Sequence, residues 1–310
     1  MGLINNERGQ GLMSKYVWVI ETIYRARKIT FKELNERWLN DEISRGVDIP
    51  KRTFDNWRYA IWDMFGINIV NENCGEYRYY IENTDDINHN GLRSWIYNTF
   101  TVSNALANSQ SIKDRILLEY VPSGQQYLKT IIQAMKENKV LNMTYQSYKR
   151  DEANSFDVQP YCVKLFRQRW YMIGRCTDPD YDKLMIYALD RIFSLHTTNE
   201  TFKLPKNWDA QKHFNGCYGI FANKEVRIQN IKLKVSATQA NYIRDLELHE
   251  SQEEIEWNEE YSIFTYRLRP TFDFIQELLR NGADLEVLEP KDLRQEMANI
   301  VEQMHKIYKK

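Results

Sequence analysis

Four cysteines in 310 residues, Cys74, Cys162, Cys176 and Cys217, leave no C-x-x-C pair anywhere in the chain. That excludes the spacing of a zinc site or a disulfide framework and points to reduced thiols packed as small hydrophobes. No apolar run approaches the ~20 residues that span a bilayer, so no membrane association is expected. The stretch Met-Gly-Leu-Ile-Asn-Asn-Glu-Arg has no apolar signal core, and Asn6 stands where a myristoylation pattern has Ser or Thr. A cytoplasmic location is the expectation. An excess of either charge is missing too, with 42 Lys+Arg against 43 Asp+Glu and a net charge of -1. This argues against indiscriminate adhesion to nucleic acid, although a whole-chain balance can hide a local asymmetry.

The motifs of common enzyme classes are absent: no G-x-x-x-x-G-K-[ST], G-x-S-x-G, G-x-G-x-x-G or H-E-x-x-H. The five histidines, His89, His196, His213, His249 and His305, are scattered. Asp178, Asp180 and Asp182 fall in a turn-rich loop, which reads as a solvated turn before it reads as a cation site. The chain is therefore not read as an enzyme, and no cofactor or metal is expected. What is present is 43% hydrophobic residues, 27% charged and 13% aromatic, enough to build cores. The length suggests about two domains, or three small ones.

The pattern along the chain is α+β. Turn-forming clusters fall at Asn83-Thr84-Asp85-Asp86, Val121-Pro122-Ser123-Gly124 and Gly216-Cys217-Tyr218-Gly219. Residues 11–82 read as three helices and a hairpin. Tyr16, Val19, Ile20, Ile23 and Tyr24 mark one buried helix face, and Thr30-Phe31-Lys32-Glu33 is a capping box that starts a second helix. Pro50 opens a third, with Phe54, Trp57, Ile61, Met64 and Phe65 at the helical period and Gly66 ending it. Residues 83–137 read as a helical linker. From 138 to 222 several short strands suggest a small, strongly bent sheet or barrel. Residues 223–310 read β-α-β-β-α-β and a last helix, a ferredoxin-like order.

Helices followed by a hairpin match a winged helix-turn-helix, whose third helix enters the major groove. With the apolar stripe inward, Arg52, Asn56 and Tyr59 point outward, with Asp55 beside them. Arg and Asn can pair with guanine and adenine edges. Lys51, Arg58 and Arg78 on the wing would hold phosphates. Between Ser14 and Trp62 there are ten basic and seven acidic residues, a modest excess. The same face also suits a helical adaptor that binds protein.

The string Arg167-Gln168-Arg169-Trp170-Tyr171-Met172-Ile173-Gly174-Arg175 is the most unusual in the chain. Strand alternation places Arg169, Tyr171, Ile173 and Arg175 on one face, either an anion-holding surface or a solvated basic face. Trp170-Tyr171-Met172 resembles the Trp-Tyr-Leu signature of WYL-domain transcriptional regulators. Tyr145, Pro160-Tyr161, Leu189-Asp190-Arg191-Ile192 and Phe202 fit the surroundings of that signature. Pro50-Lys51-Arg52-Thr53-Phe54 resembles the start of that family's recognition helix. Leu278-Leu279-Arg280-Asn281-Gly282-Ala283, Val287-Leu288-Glu289-Pro290 and Leu293-Arg294 resemble its C-terminal extension.

The resemblance implies an Sm-like β-barrel with a sensor role, and regulation of transcription by a dimer. The sequence departs from it where the family often has arginines, since Met185 and Ala188 stand there. The expected function is a ligand-responsive, sequence-specific regulator: a homodimer on a double-stranded DNA operator, with a small molecule, nucleotide or nucleic acid held by the WYL part. Tyr145, Lys164, Arg167, Arg169, Tyr171 and Arg191 are the expected ligand residues. The alternatives are an RNA or single-strand binder that uses the barrel, and a protein adaptor. The acidic run from Glu247 to Glu260 would repel DNA and is expected on a solvent face or dimer edge.

Overall fold

Apolar side chains at helical spacing govern the first part of the chain. The computed structural model describes residues 2–82, 92–107, 110–148, 150–178 and 183–309, and it divides into two units, 1–118 and 119–310. In the first unit, α1 (Gly2–Ala26) buries Tyr16, Val19, Ile20 and Ile23, while Tyr24 at the rim of that face remains 43% exposed. Thr30 caps α2 (Phe31–Leu39): its Oγ1 accepts from the Glu33 amide at 3.2 Å, and its own amide donates to Glu33 Oε2 at 2.9 Å. Leu34 and Trp38 then turn inward. Pro50 precedes α3 (Lys51–Phe65), which buries Phe54, Trp57, Ile61 and Phe65, and Gly66 ends it with φ 69°.

Strands β1 (Ile69–Asn71) and β2 (Tyr79–Ile81) form an antiparallel hairpin, Ile69 opposite Ile81. Helix α4 (Leu92–Ala107) places Tyr97 against Phe65, with ring centroids 5.8 Å apart. That helix belongs to this core. Among the described residues the stretch 83–137 is therefore not a uniform linker, because α4 belongs to the first unit and the helix Gln125–Glu137 to the second. Asn83 to Asp86, one of the expected turns, lies outside the described residues.

In the second unit, α5 (Gln125–Glu137) lays Ile131 and Ala134 on a five-stranded antiparallel sheet, against Leu141, Met143, Val158 and Met172. Its strands are β3 (Lys139–Tyr145), β4 (Asn154–Phe166), β5 (Arg169–Cys176), β6 (Leu184–Ala188) and β7 (Ile192–Thr201), in the order β6-β5-β4-β3-β7. Register slips between Pro160 and Cys162 on β4, where proline offers no N–H to the ladder. Among the described residues no pairing joins β6 to β7, so the sheet is open and not a closed barrel.

A short helix α6 (Ala210–Phe214) leads to a second sheet of β8 (Gln229–Ser236), β9 (Glu253–Trp257), β10 (Tyr261–Leu268) and β11 (Leu285–Glu289). The order is β11-β8-β10-β9, every pair antiparallel. Helices α7 (Ala237–Asp245) and α8 (Phe272–Arg280) bury Ala240, Ile243, Phe274 and Leu278 against Ile231, Leu233, Phe264 and Tyr266. Helix α9 (Lys291–Tyr308) follows, anchored by Leu293. The acidic strand β9 is the outer edge, exposed along its whole length. Among the described residues no helix is long and apolar enough to cross a membrane.

Candidate functional site

Helix α3 buries one stripe and leaves Arg52, Asn56, Tyr59 and Asp63 on another, at four-, three- and four-residue spacing. Tyr59 is 76% exposed. Trp62, which was not among the expected contacts, is 48% exposed next to it, one turn along from Tyr59. The expected base readers thus share one solvent face, adjoined by a large aromatic that helical spacing from Tyr59 also indicates.

The expected phosphate contacts fare differently. Arg58 is turned inward: Nε and Nη2 both donate to the Ile69 carbonyl, at 2.8 and 2.6 Å, and the guanidinium lies 5.0 Å from the Tyr79 ring. It ties α3 to both strands of the hairpin, so its role as a solvent-facing phosphate contact is corrected to that of an anchor. Lys51 is exposed, with Nζ 2.7 Å from Asp55 Oδ1 and 5.2 Å from the Tyr79 ring centre. Arg78 is exposed on the hairpin and ion-paired to Glu76.

The six expected ligand residues separate into three places within the second unit. Tyr145 and Arg191 line a cavity of about 500 Å³. The Arg191 guanidinium is 5.0 Å from the Tyr145 ring and 3.6 Å from the Tyr148 ring, and Nη2 donates to the Gln146 carbonyl. Tyr145 Oη accepts from the Ala188 amide at 3.3 Å, and burial raises its pKa above the ordinary phenol value. Tyr187 packs edge-on to Tyr145 at 5.3 Å and near Phe156 at 5.7 Å. Met185 and Ile186 add apolar lining, and Arg150 and Asp178 add charged lining. A second hollow of about 430 Å³ shares Ser147, Arg150 and Arg191 with it. Phe156 and Tyr187 were missed, although Tyr187 sits two positions from Met185, the named departure from the family pattern, on one face of a short strand.

Arg169 and Tyr171 form the second place. Arg169 Nη2 donates to Asp190 Oδ2 at 2.6 Å, and this hydrogen bond is the main reason its pKa is raised. Its guanidinium also lies 5.7 Å from the Tyr171 ring. Tyr171 is only 9% exposed, packed with Ala188 and Ile220. Of the two readings of this strand face, the solvated basic one does not hold, because Tyr171 and Ile173 are buried and only Arg175 is exposed.

Lys164 and Arg167 belong to neither cavity. Lys164 Nζ donates to the Gly219 carbonyl at 2.6 Å and lies 3.9 Å from the Phe214 ring, and burial lowers its pKa. Arg167, in the turn between β4 and β5, pairs with Glu277 on α8 and donates to Tyr218 Oη at 3.3 Å. Both hold the five-stranded sheet to the part that follows it. Among the described residues no group of three His, Cys, Asp or Glu side chains is placed to hold a metal ion.

Two family models match the chain: WYL domain over residues 126–197 and WCX domain over residues 227–305. Comparison with curated proteins gives no match. Among solved structures, the chain is similar to proteasome accessory factor B/C (PafBC) of Arthrobacter aurescens, with TM-score 0.37, 16% identity and 92% of this chain covered. It spans 45% of the length of that protein. It is also similar to a CRISPR Cas-related protein, with TM-score 0.36, 12% identity, and 97% of this chain and 85% of that chain covered. The Trp170-Tyr171-Met172 strand lies inside the first match and the β8–α9 part carries the second; the second unit thus contains a WYL domain followed by a WCX domain.

Proposed function

We propose that the chain is a DNA-binding transcriptional regulator and not an enzyme, with its first unit acting as a winged helix-turn-helix and its WYL domain as a ligand sensor. The carrying observation is the single exposed stripe Arg52, Asn56 and Tyr59 on the helix that precedes the hairpin. Those side chains supply hydrogen bonds for purine edges and an aromatic for groove contacts. In this reading the open five-stranded sheet is an Sm-like fold, supported by its antiparallel order and its leading helix. The second sheet is ferredoxin-like, supported by its β11-β8-β10-β9 order with helices after β8 and β10. A homodimer would set two α3 helices about one DNA turn apart on a pseudo-palindromic operator. Such a role belongs in the cytoplasm. A small basic excess around α3 gives modest non-specific affinity, so readout and dimerisation supply the rest.

The test is a gel shift on genomic fragments at fixed salt, comparing the protein with Arg52→Glu/Asn56→Ala. Both side chains are exposed, so the fold is retained. Each lost base contact costs about 1–3 kcal/mol, so specific binding should fall by at least about tenfold. Unchanged binding would overturn the assignment. Arg58 is unsuitable for this test because its loss would release the hairpin. A single-strand-binding reading gains nothing from this arrangement, since Arg169 is committed to Asp190 and Tyr171 is covered.

A further inference from the structure

We propose that the cavity at Arg191 takes a small aromatic monoanion, an arene carboxylate in kind, and not a nucleic-acid strand. This rests on the reading of the WYL domain as a sensor and names the chemistry of its ligand.

Three observations carry it. The first is the wall. Tyr145, Phe156, Met185, Ile186 and Tyr187 give apolar and aromatic surface to a cavity of about 500 Å³. That size suits one small molecule, and edge-on Tyr145 and Tyr187 suit a planar ring. The second is the charge. Among the described residues the charged side chains lining the cavity are Arg150, Arg191 and Asp178. The lining therefore offers a net charge of about one, enough for a single carboxylate. A strand carries a phosphate on every nucleotide and is held by grooves of several cations. The third is position 185. Met185 lines the cavity and is 42% exposed, so this part of the wall is apolar and open to the ligand.

Arg191 is prepared for the carboxylate. Two tyrosine rings hold its guanidinium and the Gln146 carbonyl fixes one edge, so little side-chain freedom remains to be lost on binding.

The experiment is isothermal titration of the full chain with 1-naphthoate, neutral 1-naphthamide and an eight-nucleotide oligo-dT, repeated with Met185→Glu. A half-exposed methionine tolerates glutamate, and circular dichroism checks the fold. The native protein should bind naphthoate at least about tenfold more tightly than oligo-dT, about 1.4 kcal/mol. Met185→Glu should weaken naphthoate by about tenfold or more and naphthamide by less than about threefold, since only the anion meets the new charge. Tighter binding of oligo-dT, lost in Arg191→Gln, overturns the ligand class and leaves the sensor reading standing. No binding of any probe by a protein that still shifts operator DNA overturns both. Equal loss of naphthoate and naphthamide in Met185→Glu overturns the carboxylate.

Discussion

Gly124 governs how the WYL domain starts. It caps α5 with φ 62°, a conformation side chains rarely adopt, and a Cβ there would lie 2.2 Å from the Leu189 carbonyl carbon and 2.5 Å from the Asp190 nitrogen. Both obstacles are backbone and cannot rotate away. They belong to the short helical turn Leu189–Arg191, which also presents Arg191 to the cavity. Gly124→Ala should therefore destabilise the second unit by about 3 kcal/mol or more, left-handed strain and overpacking adding together. Urea denaturation followed by tryptophan fluorescence measures this, and a loss below about 1 kcal/mol would mean that the turn yields. The sequence marks Val121-Pro122-Ser123-Gly124 as a turn, but it cannot tell that Leu189, 65 positions on, closes over it. The same distinction divides the arginines. Arg52 and Arg58 are alike in sequence, six positions apart on one helix, yet one faces solvent and the other is spent on the Ile69 carbonyl.

That carbonyl lies on the hairpin, so the consequence of Arg58 belongs to elements. Helix α3 and the hairpin meet through Arg58, through Tyr79 edge-on to Phe54 at 5.0 Å, and through Lys51 over the Tyr79 ring. A two-stranded hairpin of three residues a side is marginal alone and depends on such props. Arg58→Met keeps the apolar stem and removes two donors to one carbonyl; the expected cost is about 1–3 kcal/mol, with faster amide exchange confined to 69–81. Exchange that rises evenly across the first unit would overturn the view that Arg58 acts on the hairpin alone. Elements were legible where their signal is local: the Thr30–Glu33 box, the α3 stripe after Pro50, and the acidic run that makes β9 an exposed edge. Strand β5 was misread because alternation distinguishes faces only when one is wet. Here α5 with its core covers Met172, while Ile220 and Ala188 cover Tyr171. The covering residues lie far off in sequence, so no periodicity within β5 announces them.

At the scale of the second unit, the WYL and WCX domains are joined by groups that either domain alone would leave unmatched. Glu277 is 6% exposed on α8, and its carboxylate meets Arg167 from the β4–β5 turn, with Arg280 Nη1 3.8 Å away on its own helix. Tyr218 packs edge-on between Phe166 and Phe274, at 5.8 and 5.7 Å. Asp273 Oδ2 accepts from the amides of Ile220 and Phe221 at 2.7 and 3.0 Å, and any Cβ on Gly219 would enter that carboxylate at 2.3 Å. The joint therefore combines a polar clasp with an edge-on aromatic cluster, and a double-mutant cycle can separate them. Arg167→Ala leaves Glu277 buried but still near Arg280, so it should cost less than removal of the only partner of a buried charge. Because the Arg167 side chain is 47% exposed, water screens the pair and the coupling with Glu277→Gln should be about 1–2 kcal/mol. Amides of 218–221 should exchange faster in either variant, while those of the β3–β5 ladder stay protected. Coupling near zero with unchanged exchange would assign the joint to Phe166, Tyr218 and Phe274, and Tyr218→Ala would then carry the loss.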